Sequence, residues 1–182
     1  MNLQRNKQNK QRSLCLMLLG LSYFVYALPE DKTKAIQLAA NYAELDQKKH
    51  QARFLGHVHL DQGSTHIRAA ETVTESNQKN HLIKAIAKGN DQQQAHYWTL
   101  TDKDKPTLHA YADIITYYPK KHLIELIGNA RIKQNNNLFT ASRINYDTLN
   151  QQITSKASGP QQTTIIIHPE KSNERTNSPK HK

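Results

Sequence analysis

The chain has 182 residues, a single cysteine and a formal net charge of +10 at pH 7. This length fits one domain rather than several, and one cysteine excludes a framework of internal disulfides. The excess of lysine and arginine favours anionic partners, which include phosphate-bearing lipids, nucleic acid and acidic proteins.

Residues 1–27 carry the three parts of a secretory signal peptide. The segment from Arg5 to Arg12 is basic, the run from Leu14 to Val25 is apolar, and Val25-Tyr26-Ala27 offers small residues at the cleavage positions. The apolar run is shorter than the roughly 20 residues that a membrane-spanning helix needs. We therefore predict cleavage of this segment, with an uncleaved membrane anchor as the alternative.

Cys15 lies inside the apolar run, so the exported chain would contain no cysteine. Such a chain suits a bacterial periplasm, where a free thiol is open to oxidation. The remainder divides into one domain over residues 28–168 and a basic tail over 169–182. The tail has no apolar residue beyond proline, and we predict that it is disordered.

From Ala35 onward, short strand-like segments are separated by turn residues about every 8 to 12 positions. With no convincing helical stripe, this spacing predicts an all-β domain. An alanine-rich helix over residues 33–42 is the alternative for the first segment. A turn is expected around residues 46–48. The predicted strands cover residues 35–40, 51–60, 65–74, 81–87, 95–100, 108–118, 122–134, 138–146, 152–157 and 163–168.

The segment around Gly56 recurs later in the chain. Shifting the sequence by 72 positions superimposes two stretches without a gap, which indicates a duplicated β unit. Asn135 takes the place of Gly63 at one turn, and asparagine tolerates the positive φ that such turns use. The matched positions are Ala40 with Ala112, Asn41 with Asp113, Lys48-Lys49-His50 with Lys120-Lys121-His122, Gly56 with Gly128, Val58 with Ala130, Leu60 with Ile132, Gln62 with Gln134, and Ala69 with Ala141.

One face of the predicted strands is apolar and is expected to point inward. Small residues interrupt this face, and small residues that face one another leave apolar space. A groove for acyl chains and an ordinary packed core therefore both remain open. The inward candidates are Ile36, Leu38, Phe54, Val58, Leu60, Ile67, Val73, Leu82, Tyr97, Leu108, Ile114, Leu126, Ile132, Phe139, Ile144, Ile153, Ile165 and Ile167. The small residues are Ala40, Gly56, Ala69, Ala110, Ala112, Gly128, Ala130, Ala141 and Ala157.

Several segments resemble the OstA-like family of lipopolysaccharide transport proteins. Each segment alone is weakly specific, but their order and spacing agree from about residue 33 to residue 169. Asn41 and Ala70 depart from aspartates that are common in the family. The segments are Ala35-Ile36-Gln37-Leu38-Ala39-Ala40-Asn41, Phe54-Leu55-Gly56-His57-Val58, Gln62-Gly63, Ile67-Arg68-Ala69, Gly128-Asn129-Ala130, Arg143-Ile144-Asn145-Tyr146 and Thr163-Thr164-Ile165-Ile166-Ile167-His168-Pro169.

The resemblance implies a slightly twisted, open-ended β-jellyroll that carries lipopolysaccharide across the periplasm from the inner to the outer membrane. Molecules of the family stack head to tail, so that an apolar groove becomes continuous. The implied partners are lipopolysaccharide, same-fold components at both membranes and further copies of the chain. The expected acyl-chain contacts are Ile36, Leu38, Phe54, Val58, Tyr97, Leu126, Ile132 and Phe139. The expected oligomer edges are Ile36, Gln37 and Leu38 on the first strand and Ile165, Ile166 and Ile167 on the last.

Two other functions stay open on the sequence. A membrane-anchored component of the same pathway would share the fold and keep residues 1–27. A secreted nucleic-acid-binding domain would use the basic surface and stack bases on Tyr97 or Trp98, but neighbouring residues of a strand point to opposite faces. We therefore expect no nucleic-acid partner.

Signals for catalysis or for a metal are weak. His57 and His59 lie two positions apart, but zinc needs three or four ligands and no nearby spacing supplies the others. Asp102 and Asp104 are paired carboxylates in a predicted loop with no pocket. The chain has no recognisable nucleophile context and no nucleotide-binding loop. We predict neither an enzyme nor a cofactor.

Overall fold

The computed structural model describes residues 33–156 and 162–169, and this part of the chain is mostly β-strand. The predicted signal peptide lies outside these ranges, as does the predicted tail except for Pro169. Twelve antiparallel strands form one hydrogen-bonded sheet. They are β1 (Gln37–Ala39), β2 (Tyr42–Asp46), β3 (Gln51–Gln62), β4 (Thr65–Ser76), β5 (Leu82–Lys88), β6 (Ala95–Thr99), β7 (Leu108–Ala112), β8 (Ile114–Tyr118), β9 (Leu123–Gln134), β10 (Asn137–Asp147), β11 (Gln152–Lys156) and β12 (Thr164–Ile166). A 3-10 turn, Pro119–Lys121, follows β8.

The sheet forms two layers because its four long strands change neighbours halfway along. The first half of β3 pairs with β2 and its second half pairs with β1. Strands β4, β9 and β10 divide their pairing in the same way. The first layer therefore contains β1, β6, β7 and β12, and the second layer contains β2, β5, β8 and β11. The long strands β3, β4, β9 and β10 contribute one half to each layer.

A β-bulge lies where each pair of long strands passes from one layer to the other. Gly56-His57 on β3 opposes the single residue Ala70 on β4. Gly128-Asn129 on β9 opposes the single residue Ser142 on β10 in the same manner. All four bulged residues have positive φ, between 46° and 79°. A bulge bends its strand and increases the local twist, so these two bulges direct the long strands between the layers.

The turns repeat with the same offset as the bulges. Gly63 has a φ of 58° and Asn135 a φ of 54°, which confirms that asparagine replaces glycine in a positive-φ turn. His50 and His122 also share a positive φ, and each accepts a backbone hydrogen bond from the equivalent downstream residue. The duplication inferred from the sequence is thus present in the backbone.

Each bulge accepts a backbone hydrogen bond from the residue just before a neighbouring short strand, which is β2 in the first copy and β8 in the second. The backbone nitrogen of Asn41 donates to the Gly56 carbonyl at 2.9 Å, and that of Asp113 donates to the Gly128 carbonyl at 3.0 Å. The Asp113 carboxylate also accepts a hydrogen bond from the Asn129 side chain at 2.9 Å. Asn41 reaches His57 instead, at 3.1 Å. The position where the family often has aspartate is therefore a bulge contact in both copies.

We expect Gly128→Ala to destabilise the fold by about 1–3 kcal/mol, because alanine is strained at a φ of +79° and its Cβ would clash with the Asp113 carboxylate. Chemical denaturation with circular dichroism measures this free energy. The control is Gly63→Asn, which should change stability by less than about 0.5 kcal/mol because Asn135 already occupies the equivalent turn. Equal stability of the two variants would contradict this role of the bulge.

Two predictions about the strands are wrong: one predicted strand is divided, and one strand was missed. The predicted strand over 108–118 is divided at Asp113, whose backbone bonds to Gly128 and to Gly89 pull the chain out of a straight ladder. The region predicted only to turn around 46–48 contains strand β2 before that turn. The helix alternative over 33–42 is also wrong, because β1 and the start of β2 lie there.

Two residues that were predicted to point inward, Val73 and Ile114, do not do so, and a shift in strand alternation explains both. Val73 and Ile114 are only partly buried, whereas Thr72 and Ile115 beside them are completely buried. The bulge opposite Ala70 and the break at Asp113 each shift the in-out alternation by one residue. A strict period of two therefore fails downstream of each irregularity.

Candidate functional site

The two layers enclose one apolar interior. The ring centroid of Tyr97 in the first layer lies 6.3 Å from that of Tyr117 in the second. Buried side chains from both layers form a single cluster that includes Leu60, Leu126 and Ile132. Strand alternation places these side chains between the layers and sends their polar neighbours to the outside. The interior therefore runs the length of the sheet between its two ends.

The interior contains few polar groups, and its tyrosine phenols are neutral at pH 7. Burial raises the pKa of the Tyr97 phenol, and burial together with the nearby Asp147 carboxylate raises that of Tyr146 to about 12. Among the described residues, the Thr72 hydroxyl is completely buried and has no hydrogen-bond partner. An unpaired buried hydroxyl costs on the order of 1–3 kcal/mol, so the closed packing of the layers is not ideal at this point.

Small side chains let the two layers approach closely. Seven alanines of the interior are at most 1% exposed: Ala85, Ala87, Ala95, Ala110, Ala112, Ala130 and Ala141. Four of these were expected from the sequence as interruptions of the apolar face. Alanine side chains offer little area for interlocking, so they provide fewer contacts between the layers than leucine or phenylalanine would.

The eight predicted acyl-chain contacts fall into a buried group and a marginal group. The buried group is at most 8% exposed and consists of Phe54, Val58, Tyr97, Leu126 and Ile132. The marginal group consists of Ile36, which is 36% exposed, with the partly exposed Leu38 and Phe139, which pack against the core. The marginal group is accessible while the layers are closed, whereas the buried group meets a ligand only when the layers part.

Sequence reasoning missed four large interior side chains. They are Ile115, Tyr117, Ile124 and Tyr146, each at most 7% exposed. Ile115 and Tyr117 follow the break at Asp113, which shifts the alternation by one residue. Ile124 and Tyr146 lie two residues from the predicted Leu126 and Ile144, so extending the predicted alternation along those strands would have found them.

Both ends of the sheet expose apolar side chains on edge strands. Within the described residues, β1 and β2 end the sheet on one side, and β11 and β12 end it on the other. Ile165 and Ile167, which were predicted to point inward, are 54% and 72% exposed. Ile166 is 43% exposed, and at the opposite end Tyr42 and Leu45 are 53% and 67% exposed. Apolar edges with open backbone groups are able to recruit a further strand.

The outer face of the first layer is polar and internally paired. Asp61 accepts hydrogen bonds from Arg68 at 2.8 Å and pairs with His66 at 2.6 Å. Burial acts to raise the pKa of Asp61, but the contacts with Arg68 and His66 outweigh it and lower the pKa. The guanidinium of Arg68 also lies 4.9 Å from the centre of the Trp98 ring. These groups stabilise one another on the outside of the layer.

A stack of rings continues across this outer face. Trp98 stacks on His66 and His96, and His96 stacks on Tyr111 with centroids 4.2 Å apart. Burial and the neighbouring His109, Arg68 and Arg131 lower the pKa of His96 to about 4, so its imidazole is neutral at pH 7. Tyr97 is buried on the opposite side of the strand from Trp98, so these two rings do not form a pair on one surface.

The weak chemical signals do not converge on a site. His57 contacts Asn41, while His59 lies exposed on the outer side. The described residues contain no group of three or more histidine, cysteine, aspartate or glutamate side chains that could hold a metal ion. In residues 33–156 and 162–169, no helix is long and apolar enough to cross a bilayer.

An apolar interior between two layers, with unpaired edge strands at both ends, defines an open-ended β-jellyroll. Residues 37–152 match the family described as "LptA/(LptD N-terminal domain) LPS transport protein". The chain belongs to this family of lipopolysaccharide transport proteins. The resemblance found in the sequence and the fold expected from it are both confirmed.

Curated relatives agree with this assignment. The lipopolysaccharide export system protein LptH of Pseudomonas aeruginosa is 32% identical over 157 residues, which cover 82% of this chain and 88% of the relative. The lipopolysaccharide export system protein LptA of Haemophilus influenzae is 26% identical, over 88% of this chain and 92% of the relative. LptA of Escherichia coli K12 is 23% identical, over 97% and 94%.

A solved structure agrees as well. The crystal structure of LptH, described as the LptA homologous periplasmic component of the lipopolysaccharide transport device of Pseudomonas aeruginosa, superimposes with a TM-score of 0.72. The match covers 78% of this chain and all of that chain, at 26% sequence identity.

Proposed function

We propose that this protein binds lipopolysaccharide and carries it through the periplasm toward the outer membrane. The observation that carries this proposal is the apolar interior, which reaches two open, apolar sheet ends. The names of the relatives, all lipopolysaccharide export or transport components, support the same ligand. We infer that the chain works as a non-catalytic conduit and is exported by its signal peptide.

The interior meets the main energetic requirement of this task. Several acyl chains expose dozens of CH₂ groups to water, at a cost of about 0.8 kcal/mol each and tens of kcal/mol together. An apolar space between the layers removes this cost during transfer. Because Tyr97 and Leu126 are completely buried between the layers, lipid must separate the layers and replace their mutual contacts with acyl contacts.

Head-to-tail stacking extends the interior from one molecule to the next. The edge strand β12 of one molecule would pair beside β1 of the following molecule, with Ile165, Ile166 and Ile167 against Ile36, Gln37 and Leu38. Such pairing satisfies the open backbone groups and covers the exposed side chains. The same edges would pair with the same-fold components at the inner and outer membranes.

Photo-crosslinking with purified lipopolysaccharide tests the proposal. A photoreactive amino acid at Ile36 is expected to label the lipid strongly, because this position lies at the margin of the interior. The control is a probe at Asp61, on the outer face of the same layer. Equal labelling at both positions would indicate adsorption to a basic surface, and no labelling at either would contradict lipid binding.

A further inference from the structure

An open cleft separates the layers on the side opposite the bulges, and we name it the mouth cleft. Its volume is ≈ 670 Å³. The first layer and the segment before β1 contribute Lys34, Ile36 and Gln62, and the second layer with its turns contributes His81, Leu82 and Lys120. The cleft therefore connects solvent with the margin of the apolar interior.

The corresponding position in the second copy is closed. The loop between β6 and β7 covers it, with Thr101 only 6% exposed. Gln134 donates a hydrogen bond to Thr101 Oγ1 at 2.9 Å. Lys105 donates at 3.1 Å to Oε1 of Gln151, which lies in a turn of the second layer. Leu108, the equivalent of Ile36 in the duplicated unit, is accordingly 2% exposed rather than 36%.

The first copy keeps the backbone anchor of the second copy. Gln62 donates to the Lys34 carbonyl at 3.2 Å, as Gln134 donates to the Pro106 carbonyl at 3.0 Å. This contact holds the segment that carries Lys34 and Ile36 along one wall of the mouth cleft. Among the described residues, the duplication thus provides an internal comparison in which Leu108 is sealed by a loop and the equivalent Ile36 is 36% exposed.

The open mouth combines cations with apolar side chains. Lys34 lies on one wall and Lys120 on the other, while Ile36 and Leu82 are the apolar members of the lining. The lining contains no aspartate or glutamate. Within the described ranges, neither lysine has a carboxylate partner. By contrast, Lys49 pairs with Asp46 in its own turn, and Lys84 pairs with Glu75 on the neighbouring strand. Two uncompensated cations on facing walls favour an anion between them.

We propose that the mouth cleft binds a phosphate group of the lipid A moiety whose acyl chains enter the interior. The inference rests on the proposed function and assigns it a headgroup site. Acyl chains that pass Ile36 and Leu82 would leave the covalently attached phosphate at the water boundary, between Lys34 and Lys120. The long methylene stems of both lysines allow the ammonium groups to follow the phosphate as the layers separate.

Binding of two lipids to two charge-matched variants tests this site. The first variant is Lys34→Gln with Lys120→Gln, and the control is Lys48→Gln with Lys133→Gln, which removes the same charge from exposed positions outside the cleft. The probes are hexa-acylated lipid A with two phosphates and the same lipid A with its phosphates removed. Affinity is measured at low and at high salt for the folded full-length exported chain.

We expect the wild type to bind phosphorylated lipid A about three- to tenfold more tightly than the dephosphorylated form at low salt. The cleft variant should lose this preference and keep its affinity for dephosphorylated lipid A, and the control variant should retain the preference. Inorganic phosphate alone should not displace the lipid, since it lacks the acyl chains.

Several outcomes would overturn the inference and separate it from the proposed function. Equal wild-type affinity for both lipids would remove the phosphate site and leave lipid transport intact. An equal loss of preference in the control variant would reduce the effect to net charge. Effective competition by inorganic phosphate would indicate a general anion site. Failure of the wild type to bind either lipid would overturn the proposed function together with this inference.

Discussion

The double variant Ile165→Lys with Ile167→Lys is expected to fold normally and to lose head-to-tail self-association. Both side chains are more than half exposed in the single molecule, at 54% and 72%, so replacing them costs little folding free energy. In a stack they would be buried against β1 of the next molecule. Losing about 1.5 kcal/mol of burial at each position, before any cost of burying charge, weakens association roughly 100-fold.

Sedimentation velocity over a range of protein concentrations measures this effect. The wild type should form larger species as concentration rises, and the edge variant should stay monomeric. The matched control is Ile83→Lys with Leu100→Lys, since these side chains are also exposed, at 37% and 40%, but lie outside the edge strands. An unchanged concentration dependence in the edge variant would contradict pairing through β12.

The second large effect separates core packing from lipid contact. Leu126→Ala is expected to destabilise the protein by about 2–5 kcal/mol, because Leu126 is completely buried and its truncation leaves a cavity. Ile36→Ala should cost less than about 1 kcal/mol, because Ile36 is 36% exposed. The same Ile36 substitution should weaken lipopolysaccharide binding about tenfold, through the loss of acyl contacts worth about 1–2 kcal/mol.

Chemical denaturation of the lipid-free variants and equilibrium binding of lipopolysaccharide provide the two readouts. Leu108→Ala is the control, because Leu108 occupies the position equivalent to Ile36 but is sealed at 2% exposure. It should lower stability as Leu126→Ala does. If Ile36→Ala lowered stability as much as Leu108→Ala and left lipid binding unchanged, Ile36 would be an ordinary core residue.

The small side chains of the interior explain how one set of residues could serve both folding and transport. Small alanines on facing strands limit the contact area that the layers lose when they separate. The bulges are the natural bending points, because at these positions the long strands already depart from regular pairing. The layers would then open on the side of the mouth cleft while remaining joined through β3, β4, β9 and β10.

Much of the fold follows from local patterns in the sequence. Alternating apolar residues predict strands, and the ungapped match of Gly56 to Gly128 predicts a duplicated unit that the backbone contains. The break at Asp113 could not be read in the same way. The break is caused by backbone hydrogen bonds between Asp113 and two residues distant in the chain, Gly89 and Gly128. The sequence around Asp113 does not predict these hydrogen bonds.

The candidate site was predictable in kind but not in arrangement. A pattern of apolar and small residues identifies Leu126 and Ile36 equally well as inward-facing, yet the structure buries the first and leaves the second partly exposed. The difference comes from position, because Leu126 lies in the middle of the long strand β9 within the core cluster, whereas Ile36 precedes the short edge strand β1. The mouth cleft likewise combines Lys34, His81 and Lys120 from segments far apart in the chain.

The all-β class, the duplication and the family can be read from the sequence alone, because they depend on periodicity, on self-similarity and on short motifs in order. The sequence does not show which side chains are accessible, where a cleft lies between the layers, or that Lys34 and Lys120 have no acidic partner within the described ranges. Those properties depend on the pairing of distant strands. The bulge at Gly56-His57, for example, reverses the in-out alternation of the strand opposite it, so that Ile67 and Thr72 on β4 both point inward.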